Sequence, residues 1–119
     1  MSTTHEPKRC SRRADRGHRV RIHYIGKLLK TGKTFTSSFH TGSVPYRMVV
    51  GDPKELAAWN RGLVGACPDE RRRIVAPWND AYGKDGDTKL GVPHKADVEF
   101  FVEVVSVSER PVQRQPDEL

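Results

Sequence analysis

The stretch RVRIHYIG, residues 19–26, decides the fold of this chain. Polar and apolar residues alternate along it, which is typical of a β-strand with one buried face. This period turns Val20, Ile22 and Tyr24 toward the core. A short turn that contains a glycine follows, and residues 34–38 resume strand character. The sequence therefore predicts a β-hairpin at this point.

Three further segments have strand character. Residues 45–50 are followed by a glycine, residues 71–76 by a proline, and residues 98–107 alternate so that one face is entirely apolar. Residues 77–93 contain glycines, prolines and charges, and they predict a long irregular loop between the last two strands. Loops of this length inside compact domains are usually functional.

Residues 52–55 have the features of a helix start. Asp52 is a suitable cap, Pro53 suits the first helical position, and Glu55 stands where a capping box places its acid. We expect a helix of about ten residues, whose apolar face is formed by Leu56, Trp59 and Leu63. The chain therefore predicts an α+β domain, in which an antiparallel sheet of about five strands wraps around one short α-helix.

The length and composition fit a single compact domain. The chain has 119 residues, of which 35% are hydrophobic, and this is enough for one core. Residues 1–17 lack apolar periodicity and predict a flexible basic arm, residues 18–107 form the domain, and residues 108–119 form a polar tail. No apolar run approaches the roughly 20 residues that cross a bilayer, so we expect no membrane span.

The chain is basic, with 21 Lys and Arg against 15 Asp and Glu and a formal charge of +6. Basic clusters lie at residues 8–9, 12–13 and 71–73. The middle arginine of the last cluster points away from its neighbours on a strand, and acidic residues flank this cluster. The pattern therefore disfavours a nucleic-acid partner.

The sequence contains no motif for a metal or a cofactor. Its five histidines lack the spacing of a helical two-ligand site, and there is no glycine-rich phosphate loop and no local Ser/His/Asp or Cys/His signature. We therefore expect neither a metal nor a cofactor.

Five segments follow one another with the spacing of a known family. They are VRIHYIGKL (20–28), GKTFTSS (32–38), PYRM (45–48), LAAWNRGL (56–63) and AYG (81–83). The chain resembles the FK506-binding proteins, the FKBP-type peptidyl-prolyl isomerases, from about Gly17 to Val107. This resemblance implies a twisted antiparallel sheet curled around one helix, and the activity of a peptidyl-prolyl cis-trans isomerase that assists protein folding.

The resemblance also implies an apolar pocket with a tryptophan as its floor. It assigns catalytic positions to Tyr24, Phe35, Trp59, Tyr82 and Phe100, and positions that contact substrate or macrolide to Thr36, Tyr46, Met48, Glu55, Leu56 and Val92. The residue patterns alone permit other roles. Trp59 and Tyr24 are also typical core residues, Tyr82 suits a loop anchor, and Glu55 suits a helix cap.

The isomerase reaction fits these residue types because it breaks no covalent bond. Rotation about an X-Pro bond crosses a barrier of about 18–20 kcal/mol, since the amide loses its resonance in the twisted state. A dry apolar cavity favours the twisted amide, and hydrogen bonds hold the flanking backbone. The implied partners of this monomer are proline-containing peptides, unfolded proteins, and macrolides such as FK506 and rapamycin.

The chain departs from the family pattern around the pocket. Thr36 replaces an aspartate that orients a pocket tyrosine, Met48 replaces an aromatic residue, and Glu55 replaces an apolar β-branched residue. Pro53 and Ala58 stand where glycines are common. Thr36, Met48 and Glu55 favour an alternative function, an FKBP-fold binding or chaperone module with weak or no isomerase activity.

Two features of the sequence indicate the cellular compartment of the protein: its two cysteines and its C-terminal residues. Cys10 and Cys67 resemble a cysteine pair of secretory-pathway FKBPs, which implies a disulfide; two reduced thiols in a cytoplasmic protein are the alternative. Residues 116–119, PDEL, resemble the retrieval signal of the endoplasmic reticulum, with Pro116 in place of a basic residue. Residues 1–6 lack the apolar core of a leader. The cysteine pair and the PDEL sequence nevertheless imply a mature or truncated form of a protein of the endoplasmic-reticulum lumen, whose leader has been removed; a cytosolic or nuclear FKBP with an incidental acidic tail is the alternative.

Overall fold

The computed structural model of the chain describes residues 2–5, 10 and 13–108. The tail from residue 109, with the PDEL sequence, and the basic residues 8, 9 and 12 lie outside this part. The strands are β1 (Ser2–His5), β2 (Arg19–Leu28), β3 (Thr34–Ser37), β4 (Tyr46–Val49), β5 (Arg71–Ala76) and β6 (Val98–Val107). The helix α1 is Ala57–Gly62, and 3-10 helices lie at Ser38–Thr41 and Trp78–Asp80.

All strand pairs are antiparallel, and the sheet order is β1-β5-β6-β2-β3, with β4 also paired to β2. The two ten-residue strands, β2 and β6, form the centre of the sheet. Because β2 is long, its first half pairs with β4 and its second half with β3. The predicted α+β fold, an antiparallel sheet with one short helix, is confirmed.

The core lies between the inner face of the sheet and α1. Its fully buried side chains include Val20, Ile22, Leu63, Val98, Phe100 and Val104. At Gly62 a Cβ atom would lie 2.6 Å from the Ile74 Cδ1, so the helix approaches β5 more closely than another residue would allow. This packing fixes the height of the helix above the sheet.

The predicted start of the helix is wrong. The Asp52 carboxylate accepts a hydrogen bond from the backbone N–H of Lys54 at 2.9 Å, and the Asp52 carbonyl accepts one from the N–H of Glu55 at 2.9 Å. These bonds close a local turn, which is the common alternative to a helix cap for this residue type. The helix begins only at Ala57 and is six residues long instead of about ten.

The described residues before His18 also differ from the mobile arm that the sequence predicts. β1 pairs with β5, and Cys10 forms a disulfide with Cys67, with a Cα–Cα distance of 5.6 Å. Ala14 is buried, and its backbone exchanges two hydrogen bonds of 2.7 Å with Gly65 and Ala66. Backbone pairing and a disulfide attach this segment, and neither leaves a pattern of apolar residues.

The three arginines at the start of β5 are all paired. Arg71 contacts Glu103 at 3.1 Å and Arg73 contacts Glu99 at 2.7 Å on the outer face of the sheet. Arg72 points to the inner face, as predicted, where it is buried and contacts the Glu70 carboxylate at 2.6 Å.

Within the described residues, no helix is long and apolar enough to span a bilayer.

Candidate active site

Trp59 lies at the centre of a cluster of aromatic rings. It is carried by α1 and is 6% exposed. The centroid of its ring lies 5.0 Å from that of Tyr24 on β2, 5.4 Å from that of Tyr46 on β4 and 5.3 Å from that of Phe100 on β6. Three strands and the helix therefore converge on one indole, because alternate residues of each strand face the helix.

Phe35 and Tyr82 extend this cluster toward the loop between β5 and β6. The Phe35 ring lies 6.1 Å from that of Phe100 and 5.4 Å from that of Tyr82, both edge to face. Such pairs contribute about 0.5–1.5 kcal/mol each beyond the burial of their area. The structure thus brings into one cluster the five residues to which the family resemblance assigns catalytic positions, together with Tyr46.

The indole N–H of Trp59 is the polar group at the centre of this cluster. Its Nε1 atom is buried and has no hydrogen-bond partner among the residues that the structure describes. A buried donor without an acceptor costs about 1–3 kcal/mol, so such groups are rare outside functional sites. The cluster therefore contains one buried polar group that packing alone holds in place.

Tyr46 and Glu55 form the polar edge of the cluster. The Tyr46 hydroxyl donates to both carboxylate oxygens of Glu55, at 2.8 and 2.9 Å. Burial, and then this hydrogen bond and the charge of Glu55, raise the pKa of Tyr46 to about 12. The interpretation of Glu55 as a helix-capping residue is wrong, because its side chain is bonded to β4 and not to the first turn of α1.

Tyr82 follows the second 3-10 helix and is half-buried. Burial, and to a lesser degree its proximity to Tyr24 and Asp87, raise the pKa of Tyr82. Its hydroxyl therefore remains protonated and is a hydrogen-bond donor at neutral pH. The backbone beside it is fixed, since the N–H of Gly83 donates to the carbonyl of Trp78 at 2.8 Å.

Gly26 is a site-forming residue that the sequence analysis missed. It lies within β2, opposite Phe100 on one side and Thr36 on the other. A Cβ atom there would lie 2.8 Å from the Thr36 Cγ2, 2.9 Å from the Phe100 Cε1 and 3.0 Å from the Phe35 Cζ. The missing side chain therefore makes room for two rings of the cluster. A glycine inside a strand pattern is the sequence feature that indicates such an approach.

Thr36 leaves the neighbouring tyrosine without a polar partner. Thr36 is half-buried on β3, at the position where the resemblance expects an aspartate. The Tyr24 hydroxyl forms no hydrogen bond within the described residues. The O–H of such a tyrosine is free to rotate about its C–O bond. Only the ring is held, by its contacts with Tyr46 and Trp59.

The remaining predicted residues lie around the rings. Met48 is 4% exposed on β4, and Val92 is 3% exposed in the loop before β6, so both belong to the buried core. Val92 is held by two backbone hydrogen bonds to Asp87, of 2.8 and 3.0 Å. Leu56 is half-buried at the start of α1 and packs against the same core. These three residues therefore form the aliphatic surroundings of the aromatic cluster.

Comparison with known proteins identifies the family of this fold. The profile of the FKBP-type peptidyl-prolyl cis-trans isomerases matches residues 10–105. The chain is 35% identical over 106 residues to "Peptidyl-prolyl cis-trans isomerase FKBP15-2" of Arabidopsis thaliana, covering 89% of this chain and 63% of that protein. It is 37% identical over 98 residues to "Peptidyl-prolyl cis-trans isomerase FPR2" of Saccharomyces cerevisiae, covering 82% of this chain and 71% of that protein.

The solved structures agree with the sequence relatives. The N-terminal domain of FKBP42 from Arabidopsis thaliana superposes with a TM-score of 0.78 at 27% identity, covering 90% of this chain and 84% of that one. The chain spans less than two thirds of the FKBP15-2 protein, so the match concerns the shared domain. On the evidence of this domain, the chain belongs to the FKBP-type peptidyl-prolyl cis-trans isomerase family.

Proposed function

We propose that this chain is an active peptidyl-prolyl cis-trans isomerase and that the aromatic cluster around Trp59 binds the proline. The observation that carries the proposal is a cluster of six rings, from four strands, the helix and the loop after the second 3-10 helix, with the buried indole of Trp59 at its centre. Aromatic faces suit the flat, apolar proline ring. The catalytic positions are Tyr24, Phe35, Trp59, Tyr82 and Phe100.

The mechanism needs no nucleophile and no cofactor. The rings exclude water from the X-Pro amide, and a less polar surrounding favours the twisted amide, which has lost its charge separation. The Tyr82 hydroxyl is protonated at neutral pH and donates to a carbonyl of the peptide, and its raised pKa, caused first by burial, keeps it protonated in alkaline solution as well. Binding of the flanking residues then holds the chain while the amide rotates.

The same pocket is proposed to bind macrolides such as FK506 and rapamycin. Contacts to substrate or macrolide come from Thr36, Tyr46, Met48, Glu55, Leu56 and Val92. The physiological ligands are proline-containing segments of unfolded proteins, and the protein acts as a monomer. Tyr46 and Glu55 lie at the exposed edge of the cluster, where a longer ligand would leave the pocket.

A second candidate function is a binding or chaperone module with little turnover. It is favoured by the Tyr24 hydroxyl, which has no acceptor within the described residues because Thr36 stands in place of a carboxylate. Loss of this orientation would weaken the electrostatic part of catalysis and leave apolar binding intact.

A prolyl-peptide assay separates these functions. Isomerisation of a Leu-Pro peptide is measured for the wild type, Thr36→Asp and Trp59→Ala, with a parallel titration by FK506. An active enzyme exceeds the uncatalysed rate and loses most of this excess in Trp59→Ala. A wild type that binds FK506 but does not exceed the uncatalysed rate, with Thr36→Asp restoring activity, establishes the binding module instead.

The compartment is a further part of the proposal. A disulfide that closes a 57-residue separation persists in oxidising compartments. We place the protein in the lumen of the endoplasmic reticulum, with a cytoplasmic location as the alternative. In cells that express the full gene product, protection from added protease before membrane lysis is the expected result, and digestion without lysis would contradict it.

A further inference from the structure

Three arginines lie together on the outer face of the sheet, opposite the aromatic cluster. Arg19 and Arg21 are two positions apart on β2 and share one face, and Arg21 stands directly across from Arg47 on β4. All three are exposed. With Ser106, Val107 and Ser108 they line a cavity of about 270 Å³.

The charges of these three arginines are not balanced by ion pairs among the residues that the structure describes. None of them forms a salt bridge with a carboxylate of the described residues. On the same face of the same sheet, Arg71 and Arg73 are each paired with a glutamate. Like charges directly opposite each other on neighbouring strands destabilise a sheet. The arginines of this cavity therefore carry an electrostatic cost that Arg71 and Arg73 of β5 do not.

A β-bulge directs a hydroxyl group into the cavity. Ile22 pairs with Val104, but the next residue, Arg21, pairs with Ser106, so β6 contains one extra residue. The bulge brings Ser106 opposite Arg21, and the Arg21 Nε donates to the Ser106 Oγ at 2.9 Å. This bond holds the guanidinium across the cavity wall. Bulges that re-aim a side chain are common beside functional sites.

We propose that this cavity is an anion site for the phosphate group of a small phosphate monoester. Guanidinium groups present forked donors that match phosphate oxygens, and three of them balance a dianion with donors to spare. The Ser106 hydroxyl accepts from Arg21 and keeps its own proton to donate to the ligand. A carboxylate, with one charge and two oxygens, would use only part of this donor set.

The surroundings favour a single phosphate group over a polyanion or a membrane. Nucleic acid and anionic bilayers bind to extended basic surfaces. Here the outer face beyond the cavity carries Glu99 and Glu103, which neutralise the arginines of β5. The three arginines that lack a glutamate partner on this face therefore lie together at one concave site.

The test is calorimetric titration of the full chain with inorganic phosphate and with O-phosphoserine. The site variant is Arg21→Gln/Arg47→Gln. The control, Arg71→Gln/Arg73→Gln, removes the same charge from the same face of the sheet. Near-ultraviolet circular dichroism verifies that both variants are folded.

We expect saturable binding by the wild type, binding at least about tenfold weaker in the site variant, and little change in the control. Tighter binding of phosphoserine identifies an ester as the ligand, and equal binding identifies free phosphate. Heparin and anionic vesicles are titrated in parallel. The proposal is wrong if the wild type binds neither phosphate probe, if both variants lose affinity equally, or if the wild type binds only heparin or the vesicles. None of these results depends on isomerase activity.

Discussion

The hydroxyl of Tyr46 is bonded to both carboxylate oxygens of Glu55, at 2.8 and 2.9 Å, on the edge of the ring cluster. This pair joins β4 to the turn before α1 and sets a negative charge at the mouth of the proposed pocket. Two predictions follow from this contact.

Glu55 is predicted to select peptides with a basic residue before proline. We expect kcat/KM for a Lys-Pro peptide to exceed that for a Glu-Pro peptide by about two- to fivefold at low salt, since the carboxylate is partly exposed and screened. In Glu55→Gln the ratio falls to near one, while a Leu-Pro peptide is little affected. Asp69→Asn, with the same charge change between α1 and β5, retains the preference. An unchanged ratio in Glu55→Gln would contradict the prediction.

The pair also predicts a pH dependence of stability. The pKa of Tyr46 is raised to about 12, from an ordinary value of 10.0. Its contribution is therefore complete below pH 10 and is lost as the pH rises toward 12, because ionisation removes the donor. We expect Tyr46→Phe to be less stable than the wild type by about 1 kcal/mol at neutral pH, given the exposure of the group. Urea unfolding should show this difference shrinking above pH 10; a constant difference would speak against it.

Gly26→Ala is predicted to disturb the site from within the sheet. The added methyl group meets three side-chain atoms at 2.8–3.0 Å, and overpacking of this kind costs about 1–3 kcal/mol. The Phe35 and Phe100 rings must move, so we expect a fall in peptide turnover along with the stability loss. A second substitution, Phe35→Leu, should recover part of the stability. If Gly26→Ala unfolds like the wild type, the close packing described here is wrong.

The disulfide is predicted to stabilise the domain. Loop closure over 57 residues gives an upper value of about 4 kcal/mol, and removal of native bridges costs about 2–5 kcal/mol. Cys10→Ser/Cys67→Ser should unfold at correspondingly lower urea concentration, and its stability should not respond to reductant. Quantitative thiol labelling of the wild type without reductant should detect no free thiol; two labelled cysteines would refute the bridge.

Strands whose side chains alternate between buried and exposed positions could be predicted from the sequence. A strand held by backbone hydrogen bonds alone could not. β5 and β6 begin and end at the predicted residues, because their alternation follows from one buried face. β1 was missed, since it is joined to β5 by backbone hydrogen bonds that any residue can form. Asp52 and Pro53 do begin a turn, as their residue types indicate. The chain does not continue this turn into a helix, and α1 begins only at Ala57.

The candidate site was predictable only through the resemblance to a family. From its spacing alone, Trp59 is an ordinary core residue, and its burial agrees with that description. What separates the two roles is three-dimensional: the rings that surround the indole come from β2, β3, β4, β6 and the loop before β6, and no local pattern links them. The bond between Tyr46 and Glu55 could not be predicted from the sequence either, because the capping-box pattern that begins at Asp52 indicated a different role for Glu55.

The helix that carries Trp59, the floor of the proposed pocket, is held by a residue that contains no ring. A six-residue helix has little stability of its own, and its last carbonyl groups need donors. Arg72 supplies one at the last residue of the helix and one just beyond it: its Nη1 donates to the carbonyls of Gly62 at 2.8 Å and Val64 at 2.9 Å, while Glu70 neutralises the guanidinium. An ion pair beneath the helix thus helps to hold the segment that carries the indole. Specificity in this domain can evolve at a distance, through residues that no ligand touches.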